Sequence, residues 1–357
     1  MKTNFWQKLQ PKADQPGAEK KPIFALAPMA DVTDAAFRYI IAKYSKYGGQ
    51  EIGKYGKFTP HLQASGGPDV MWTEFVSADG LMSPGRGILL NDLKFSEGER
   101  PIVAQLFSGN PEKMREASAL CARLGFDGID INMGCPDRSI EKQFAGAGLI
   151  KNPKLAKEII QAAKSGANGL PVSVKTRIGY NKDEIDTWIQ ALLEEDIAAL
   201  IVHVRTRKEM SKVVARWGDL SRIVAIRDKM KKETLIIGNG DLKDLNEARE
   251  KVQESGADGA MLGRAIFGNP FLFRNKNVPS SSERQSLPTT DEKLQIMVEH
   301  AKLFEKLLGQ TKSFAIMKKH FKSYVSGFDG AKELRTELME AENAEQVETI
   351  VKKFLKL

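Results

Sequence analysis

Short apolar segments alternate with amphipathic stretches along most of the chain. Several of these segments, such as LIVHV and TLIIG, are nearly continuous in apolar residues, which is typical of parallel strands covered on both faces. The pattern predicts strands at residues 23–28, 70–76, 102–107, 128–132, 172–176, 200–204, 234–238 and 259–262. The stretches between them have helical periodicity, and several end at a glycine. Eight such units favour an α/β fold of the (β/α)8 TIM barrel type over a doubly wound sheet.

The alternation of strand-like and helical segments stops before and after the predicted barrel. We therefore expect an N-terminal tail, the barrel domain, a linker and a smaller all-α C-terminal domain, at residues 1–22, 23–275, 276–290 and 291–357. The tail is polar and lacks the apolar core of a secretory signal, although Phe5 and Trp6 are candidates for docking on the barrel. Residues 46–68 predict an accessory loop that is longer than a compact barrel needs and lies on the face away from the chemistry.

Composition and charge narrow the class of protein. The chain of 357 residues is 41% hydrophobic and 28% charged, as in ordinary soluble globular proteins, and no apolar stretch is long enough to span a membrane. The two cysteines do not form a disulfide framework, which indicates a reducing cytoplasm. The formal net charge is +8, and residues 302–335 hold eight Lys or Arg against three acids, a net of +5. This balance suits a polyanionic partner.

The predicted strands end in polar residues or glycines. In a TIM barrel, binding and catalytic residues lie at the carboxyl ends of the strands. These ends hold Pro28, Met29, Glu74, Gln105, Asn132, Lys175, His203, Asn239, Gly240, Gly263 and Arg264. Each could be an ordinary solvent-exposed strand end, but their convergence on one mouth predicts a ligand site. The glycines after the last two strands favour a bound phosphate over simple tight turns.

Two cysteines have different contexts. Cys121 falls inside a helical pattern, so we interpret it as core packing. Cys135 lies in the segment INMGCPDRS, immediately after the fourth strand, where a loop enters the mouth of the barrel. A thiol there could act as a nucleophile or a general acid, and the alternative is an incidental buried cysteine. The four histidines have no metal-ligand spacing, so no metal is expected.

Taken together, these segments resemble those of one enzyme family. APMADVTDAAFR, DINMGCP, AGAGLI, VSVKTRIG, HVRTR, GNGD and LGRAIFGNPFLF occur in the order found in bacterial tRNA-dihydrouridine synthases, and the likeness continues through MKKHFKSYVSGFDGAKELR. The resemblance covers about residues 23–350. It implies reduction of uridine to 5,6-dihydrouridine in the D-loop of tRNA, with FMN as cofactor and NADPH as the electron source. We expect a cytoplasmic monomer.

The resemblance also implies roles for individual residues. Cys135 matches the catalytic acid that gives a proton to C5 of uracil, while hydride passes from reduced FMN to C6. The implied FMN contacts are Pro28, Met29, Gln105, Lys175, His203, Asn239, Gly240, Gly263 and Arg264. Asn132 and Arg177 match contacts to the target uracil, which must leave its stack to reach the flavin. Contacts to the tRNA backbone are expected from Lys318, Lys319, Lys322 and Arg335, for which a merely solvated basic face is the alternative.

Two positions depart from the family pattern, and two other functions stay open. Asp31 and Val204 stand where the family usually has glycine. One alternative is an FMN barrel oxidoreductase acting on a small molecule, similar to a dihydroorotate dehydrogenase, for which a basic helical domain would serve no purpose. The other is a non-catalytic RNA-binding protein with a vestigial barrel. Salt-dependent binding of tRNA would distinguish the tRNA-modifying enzyme from the first alternative. Bound flavin would distinguish it from the second.

Overall fold

The computed structural model describes residues 4–10, 21–52, 64–274 and 288–356. Within them the strands are β1 Ile23–Leu26, β2 Met71–Ser77, β3 Ile102–Phe107, β4 Gly128–Met133, β5 Val172–Arg177, β6 Ala199–His203, β7 Leu235–Asn239 and β8 Gly259–Leu262. Every predicted strand is confirmed, to within two residues at either end. The apolar segments located the strands because a strand buried on both faces leaves a continuous local signature.

All the strands run parallel in one sheet, in the order β1–β8–β7–β6–β5–β4–β3–β2. A parallel bridge between Ala25 and Val70 joins the two ends of this row. The Asp69 N–H also donates to the carbonyl of Phe24 at 2.7 Å. The sheet therefore closes on itself as the predicted (β/α)8 TIM barrel.

Glu74, expected among the residues at the strand ends, lies further inside its strand. The second strand continues to Ser77, so Glu74 lies inside β2 and not at its end. The pairing of β2 with β3 changes register between Trp72 and Phe75, and Glu74 lies in this irregularity with only 5% of its surface exposed. A bulge interrupts the alternation of a strand, which is why the sequence pattern misplaced this residue.

Helices fill the connections between the strands and form the C-terminal part of the chain. The α-helices of the described residues are α1 Phe5–Leu9, α2 Ala35–Ile41, α3 Ala78–Leu81, α4 Arg86–Leu89, α5 Pro111–Arg123, α6 Arg138–Glu141, α7 Pro153–Gly166, α8 Gln190–Leu193, α9 Asp219–Lys229, α10 Leu245–Ser255, α11 Thr290–Leu308, α12 Met317–Tyr324, α13 Ala331–Glu340 and α14 Ala344–Leu355. Short 3-10 or π segments occur at Ala42–Lys46, Glu97–Glu99, Gly146–Lys151, Ile185–Ile189, Arg264–Ile266 and Phe314–Ile316.

Local sequence signals start several of these helices. The side chains of Asn110 and Asn152 accept hydrogen bonds from the third helical N–H of α5 and α7, and proline occupies the first turn of both. This combination satisfies one unpaired N–H and pre-sets the backbone angle of the first turn. Thr289 and Glu292 form a reciprocal capping box at the start of α11.

The N-terminal helix contributes to the barrel core. Trp6, only 2% exposed, packs in one cluster with residues of β1, β2, β3, β6, β7 and β8. Its ring lies 6.0 Å from that of Trp72, and Phe5 packs against the same cluster. The expected docking of Phe5 and Trp6 is therefore confirmed. Cys121 is fully buried, as predicted for a packing residue, and burial raises the pKa of its thiol to about 12.

The described residues divide into two compact units. A barrel unit comprises those within Met1–Pro28, Asp69–Leu93 and Arg100–Gly263. The second unit comprises those within Met29–Pro68, Lys94–Glu99 and Arg264–Leu357. The predicted domain boundaries stay a prediction. The predicted linker lies outside the described residues except for 288–290, and the middle of the predicted accessory loop, residues 53–63, lies outside them as well.

The second unit has its own core. Apolar residues of α11, α12, α13 and α14 pack in one cluster with Ala36 and Ile40 of α2. Polar ties support this packing: the Lys43 ammonium lies 2.7 Å from a carboxylate oxygen of Glu299, and the Tyr44 hydroxyl donates to the other oxygen at 2.6 Å. Among the described residues, no helix is both long enough and apolar enough to cross a membrane.

Candidate active site

The carboxyl ends of β4 to β7 carry polar side chains in neighbouring register. Asn132 of β4 pairs with Lys175 of β5. Arg177, His203 and Asn239 are successive partners across β5, β6 and β7. Since register partners on adjacent parallel strands point to the same face, the structure brings these five predicted residues together at the mouth of the barrel.

A buried hydrogen-bond network lies one layer deeper in the barrel. One carboxylate oxygen of Asp130 accepts from Gln105 Nε2 at 2.7 Å, and the other accepts from the Ser173 hydroxyl at 2.5 Å. Burial raises the pKa of Asp130 to about 6, although both of these hydrogen bonds act to lower it. Gln105 Oε1 in turn accepts from Asn132 Nδ2 at 3.2 Å. The fully buried Gln105 amide is thus held between two protein partners, and its contact with FMN stays a prediction.

The loop that follows β4 is held in place around Cys135. Asn132 Oδ1 accepts from the backbone N–H groups of Gly134 at 3.1 Å and Cys135 at 2.9 Å. On the other side, Arg177 Nε donates to the Gly134 carbonyl at 2.8 Å, and the Ala147 N–H donates to the Cys135 carbonyl at 2.9 Å. The position of the thiol is therefore fixed by its neighbours in the chain and by two other segments.

The environment of Cys135 keeps its thiol protonated. The half-buried side chain packs against a cluster that contains Phe107 and Ile140. Burial raises the pKa of the thiol above its usual value of 9.0, and the opposing effects are a hydrogen bond from the Asp137 backbone and the nearby charges of Arg177 and Lys175. A thiol with a raised pKa can donate a proton at neutral pH, whereas a nucleophilic cysteine needs a lowered pKa.

Two cations on β5 have different surroundings. Burial and the charge of Arg177 lower the pKa of Lys175 to about 8, although Asp130 opposes the shift. Arg177 is buried and its Nη1 donates to the carbonyls of Thr206 at 3.1 Å and Met210 at 3.0 Å. Arg177 therefore joins the loop after β4 to the loop after β6, and its proposed contact with uracil depends on its remaining N–H groups.

His203 is oriented by the residues that follow it. Arg205 Nη1 lies 3.0 Å from His203 Nε2, and because a guanidinium only donates, this nitrogen accepts and the ring proton lies on Nδ1. Arg205 is held by the Val213 carbonyl at 2.7 Å and by an ion pair with Asp241. Asp241 also accepts from the Ala215 N–H at 3.0 Å. The orientation of the imidazole is therefore set through Arg205 by the loop after β6 and by Asp241.

The remaining predicted cofactor residues occupy other strand ends. Asn239 is buried and its Nδ2 donates to the Met261 carbonyl at 2.8 Å. Gly240 has φ +134°, and a Cβ there would lie 2.9 Å from the Cβ of Ala215, so only glycine fits. Gly263 follows β8 in the barrel unit and Pro28 lies two residues beyond the end of β1. In the second unit, Met29 precedes α2 and exposed Arg264 begins a 3-10 turn.

The backbone accounts for both departures from the family pattern. Asp31 has φ +52°, the left-handed region that favours glycine and tolerates aspartate better than most residues. Val204 has no such conformation. Its side chain is fully buried, its N–H donates to the Asn239 carbonyl and its carbonyl accepts from Arg216. Both substitutions are therefore compatible with the regular geometry of the mouth.

The donor set at the mouth fits the ring system of a flavin. A flavin pyrimidine edge carries carbonyl oxygens and accumulates negative charge on reduction, so it requires N–H donors and a cation. Lys175 supplies a cation. Its lowered pKa means that burial outweighs the nearby charge of Asp130, so an anionic group of a ligand would stabilise the charged ammonium. Arg205 orients the imidazole of His203, and the close packing of Gly240 against Ala215 and His203 removes a side chain from this strand end.

The predicted tRNA-binding residues lie on two helices of the second unit. Lys319 and Lys322 on α12 are exposed, whereas Lys318 on α12 and Arg335 on α13 are half-buried. Arg335 Nη1 donates to the Val325 carbonyl at 2.8 Å. Lys322 and Arg335 line an open pocket of about 430 Å³ with further polar and cationic residues, namely Ser326, Lys332 and Thr336, and with Met339. This pocket has the charge and the hydroxyl donors that suit a phosphate group.

Two residues that support the mouth of the barrel, Asp130 and Arg207, were not identified from the sequence. Asp130 had a detectable signal, because it alternates with Asn132 in an otherwise apolar strand. Arg207 had none, since its partners are distant in sequence: it binds both carboxylate oxygens of Glu141, at 2.7 and 2.6 Å, and the Pro136 carbonyl at 3.2 Å. Through these contacts Arg207 holds the segment that follows Cys135.

Comparison with known proteins gives consistent matches over nearly the whole chain. A family model described as Dihydrouridine synthase (Dus) matches residues 25–357. A "Probable tRNA-dihydrouridine synthase" of Staphylococcus aureus (strain COL) is 39% identical over 357 residues, which cover 99% of this chain and 96% of that protein. A "Probable tRNA-dihydrouridine synthase 2" of Bacillus subtilis (strain 168) is 37% identical over 356 residues, covering 99% and 97%. Among solved structures, a histamine dehydrogenase from Rhizobium sp. 4-9 aligns with a TM-score of 0.48 and 12% identity over 75% of this chain and 47% of that one, too distant to support an argument.

Proposed function

The chain belongs to the dihydrouridine synthase family, and on that premise we propose that it reduces uridine to 5,6-dihydrouridine in the D-loop of tRNA, in the cytoplasm, with FMN as cofactor and NADPH as reductant. The observation that carries the proposal beyond the family match is Cys135, a half-buried thiol held at the barrel mouth with a raised pKa. Protonation of a carbon atom requires such a group, because a thiolate has no proton to give.

In the proposed reaction, Cys135 gives its proton to C5 of the target uracil. FMN supplies the hydride that goes to C6. Asn132 fixes the turn that carries the thiol, because its Oδ1 accepts hydrogen bonds from the N–H groups of Gly134 at 3.1 Å and Cys135 at 2.9 Å. We assign Asn132 and Arg177 to the uracil as well. The apolar side chains of Phe107 and Ile140, against which Cys135 packs, would limit the access of water to the proton transfer. The uridine has to leave its base stack to reach this depth.

For the cofactor, we propose that the ring is held by Lys175 and His203 with Gln105 beneath them. The other proposed contacts with FMN are made by Pro28, Met29, Asn239, Gly240, Gly263 and Arg264. When FMN is bound, Lys175 would supply positive charge to the flavin ring, and the His203 imidazole, oriented by Arg205, would contact it. We propose that Lys318, Lys319, Lys322 and Arg335 bind the tRNA backbone, since cations at these positions neutralise phosphates.

The proposed function is tested by an activity assay. Purified protein is incubated with NADPH and an unmodified tRNA transcript, and the nucleosides of the product are analysed by mass. We expect bound FMN and a gain of two hydrogens on D-loop uridine. NADPH oxidation without dihydrouridine would favour a small-molecule oxidoreductase. Replacing NADPH by NADH tests the choice of reductant separately, because the yield of dihydrouridine then changes while its position does not.

A further inference from the structure

Large apolar side chains are exposed at the rim of the barrel mouth. In the described part of the chain, six large apolar residues are strongly exposed, and four of them lie on the loops that follow β4 and β6. They are Phe144, 72% exposed, Met210 and Val213, each 42% exposed, and Val214, 81% exposed. Apolar groups grouped in this way around a binding site mark a surface that contacts a partner.

The backbone that carries these side chains is held by contacts with neighbouring segments. Phe144 has φ +56°, a left-handed conformation that bulky residues rarely adopt. A Cβ placed on Gly109 would lie 3.0 Å from the Cβ of Phe144, so the segment is seated closely on the loop after β3. On the other loop, the Val213 carbonyl accepts from Arg205 at 2.7 Å. Unfavourable backbone angles of this kind cluster at functional sites.

Two arginines hold both loops on the same rim as Cys135. Arg177 donates to the Gly134 carbonyl of one loop and to the Met210 carbonyl of the other. Arg207, from the loop after β6, binds Glu141 on the loop after β4 with two hydrogen bonds. The exposed apolar residues therefore stand beside the entrance to the proposed uracil site.

The charge of this rim selects a polyanion as partner. Residues 205–216 contain five Lys or Arg, of which Arg205, Arg207 and Arg216 are paired with Asp241, Glu141 and Glu209. Lys208 and Lys212 are exposed on this loop, and Arg138 and Lys142 are exposed on the loop after β4, where Asp137 is the exposed acid. A partner with anionic groups and flat apolar rings matches this combination of cations and apolar side chains.

We propose that this rim binds the unpaired nucleobases that flank the target uridine, with Phe144 stacking on one base and Val213 and Val214 contacting its neighbour. The proposal rests on the proposed function, because it assigns the surroundings of the same site. Aromatic stacking is the usual way to bind unpaired bases, and it tolerates different base identities. Such contacts would hold the D-loop open while the uridine enters the barrel.

The test compares three substitutions of Phe144 with a matched control. Phe144→Ser, Phe144→Leu and Phe144→Trp are assayed for FMN content, thermal unfolding, KM and the Kd of an unmodified tRNA transcript at several salt concentrations. We expect the serine variant to raise both Kd and KM by about five- to tenfold. The leucine variant should be nearly as weak, and the tryptophan variant should bind like the wild type. The slope of log Kd against log salt should not change, because no phosphate contact is removed.

Leu124→Ser is the control, since this apolar residue is exposed too, at 42%, but lies at the carboxyl end of α5, on the opposite face of the barrel. Unchanged Kd and KM in Phe144→Ser, with the wild type active on tRNA, would overturn the stacking proposal and leave the proposed function intact. A serine variant that loses self-association but keeps its tRNA affinity would also overturn it, in favour of a protein contact. A wild type that binds no tRNA would overturn both.

Discussion

At the scale of single residues, the mouth of the barrel shifts the pKa values of two functional groups. Burial raises the pKa of the Cys135 thiol and lowers that of Lys175 to about 8. Both shifts have the same physical origin, which is the loss of water around the charged form. Their consequences differ, because the first keeps a proton available and the second makes a positive charge depend on pH.

The role of Cys135 predicts a selective defect. Cys135→Ala should leave FMN content and tRNA affinity close to those of the wild type, because the loop is held by the backbone contacts of Asn132 and Arg177. Formation of dihydrouridine should fall by about 10² to 10⁴-fold, the usual contribution of a general acid. The measurement is single-turnover reduction of an unmodified transcript by the pre-reduced enzyme. Unchanged turnover would remove the thiol from the mechanism, and Cys121→Ala serves as the control.

Lys175 predicts a pH dependence of flavin binding. Its lowered pKa means that the ammonium is charged below about pH 8 and loses its charge as the pH rises through that value. The Kd of the apoprotein for FMN should therefore be nearly constant from pH 6.5 to 7.5 and rise by up to about tenfold at pH 9. Flavin fluorescence quenching measures it.

Lys175→Met should bind FMN weakly at every pH and lose this rise. Lys157→Met, on the outer helix α7, provides a lysine control that should behave like the wild type. A rise that persists in Lys175→Met would assign the titration to another group.

At the scale of elements, α11 and α12 pack around two buried histidines. His300 and His320 have rings 4.7 Å apart, and Phe37 of α2 lies 5.6 and 5.2 Å from them. Three of their ring nitrogens, Nδ1 and Nε2 of His300 and Nε2 of His320, have no hydrogen-bond partner among the described residues. Burial lowers the pKa of His300 well below its usual value and that of His320 to about 3, with smaller effects of His320 on His300 and of Lys319 on His320.

This pair predicts that acid destabilises the protein. A histidine whose pKa is lowered by folding contributes stability that is present above its unfolded pKa of 6.5 and is lost as the pH falls below it, because the unfolded state then binds the proton. At pH 5.5 the loss is about 1 kcal/mol per histidine relative to neutral pH. Urea unfolding at pH 7.5 and 5.5 measures it, and His300→Phe or His320→Phe should reduce the difference. An equal pH dependence in the double variant would contradict the prediction.

At the scale of the whole molecule, a net charge of +8 and the basic region 302–335 favour association with a polyanion. Ion pairs within the chain neutralise part of this charge. Lys302 lies 2.5 Å from Glu348, for example, whereas Lys319 and Lys322 are exposed. The distribution of the charge over the surface therefore matters more than its sum.

Reversing two of these charges should weaken tRNA binding selectively. Lys318→Glu with Lys322→Glu is expected to raise the Kd for tRNA by about tenfold at low salt and to lower the salt slope by about two, since each lysine is proposed to contact one phosphate. FMN content should stay normal. Lys229→Glu with Lys251→Glu changes the net charge equally on α9 and α10 and should have a smaller effect. Equal effects of the two pairs would show that only net charge matters.

The sequence by itself determined the barrel, because strands buried on both faces are visible as local apolar runs and the polar strand ends converge through the symmetry of the fold. It also located Cys135 and Lys175, whose types and positions follow from the same pattern. Only the tertiary structure decided how these residues are held. Two contacts join segments that lie far apart in the chain, namely that of Arg207 with Glu141 and that of Gln105 with Asp130. The exposure of Phe144 also depends on how such segments pack. Such contacts depend on packing between elements, which leaves no periodic signal in the sequence.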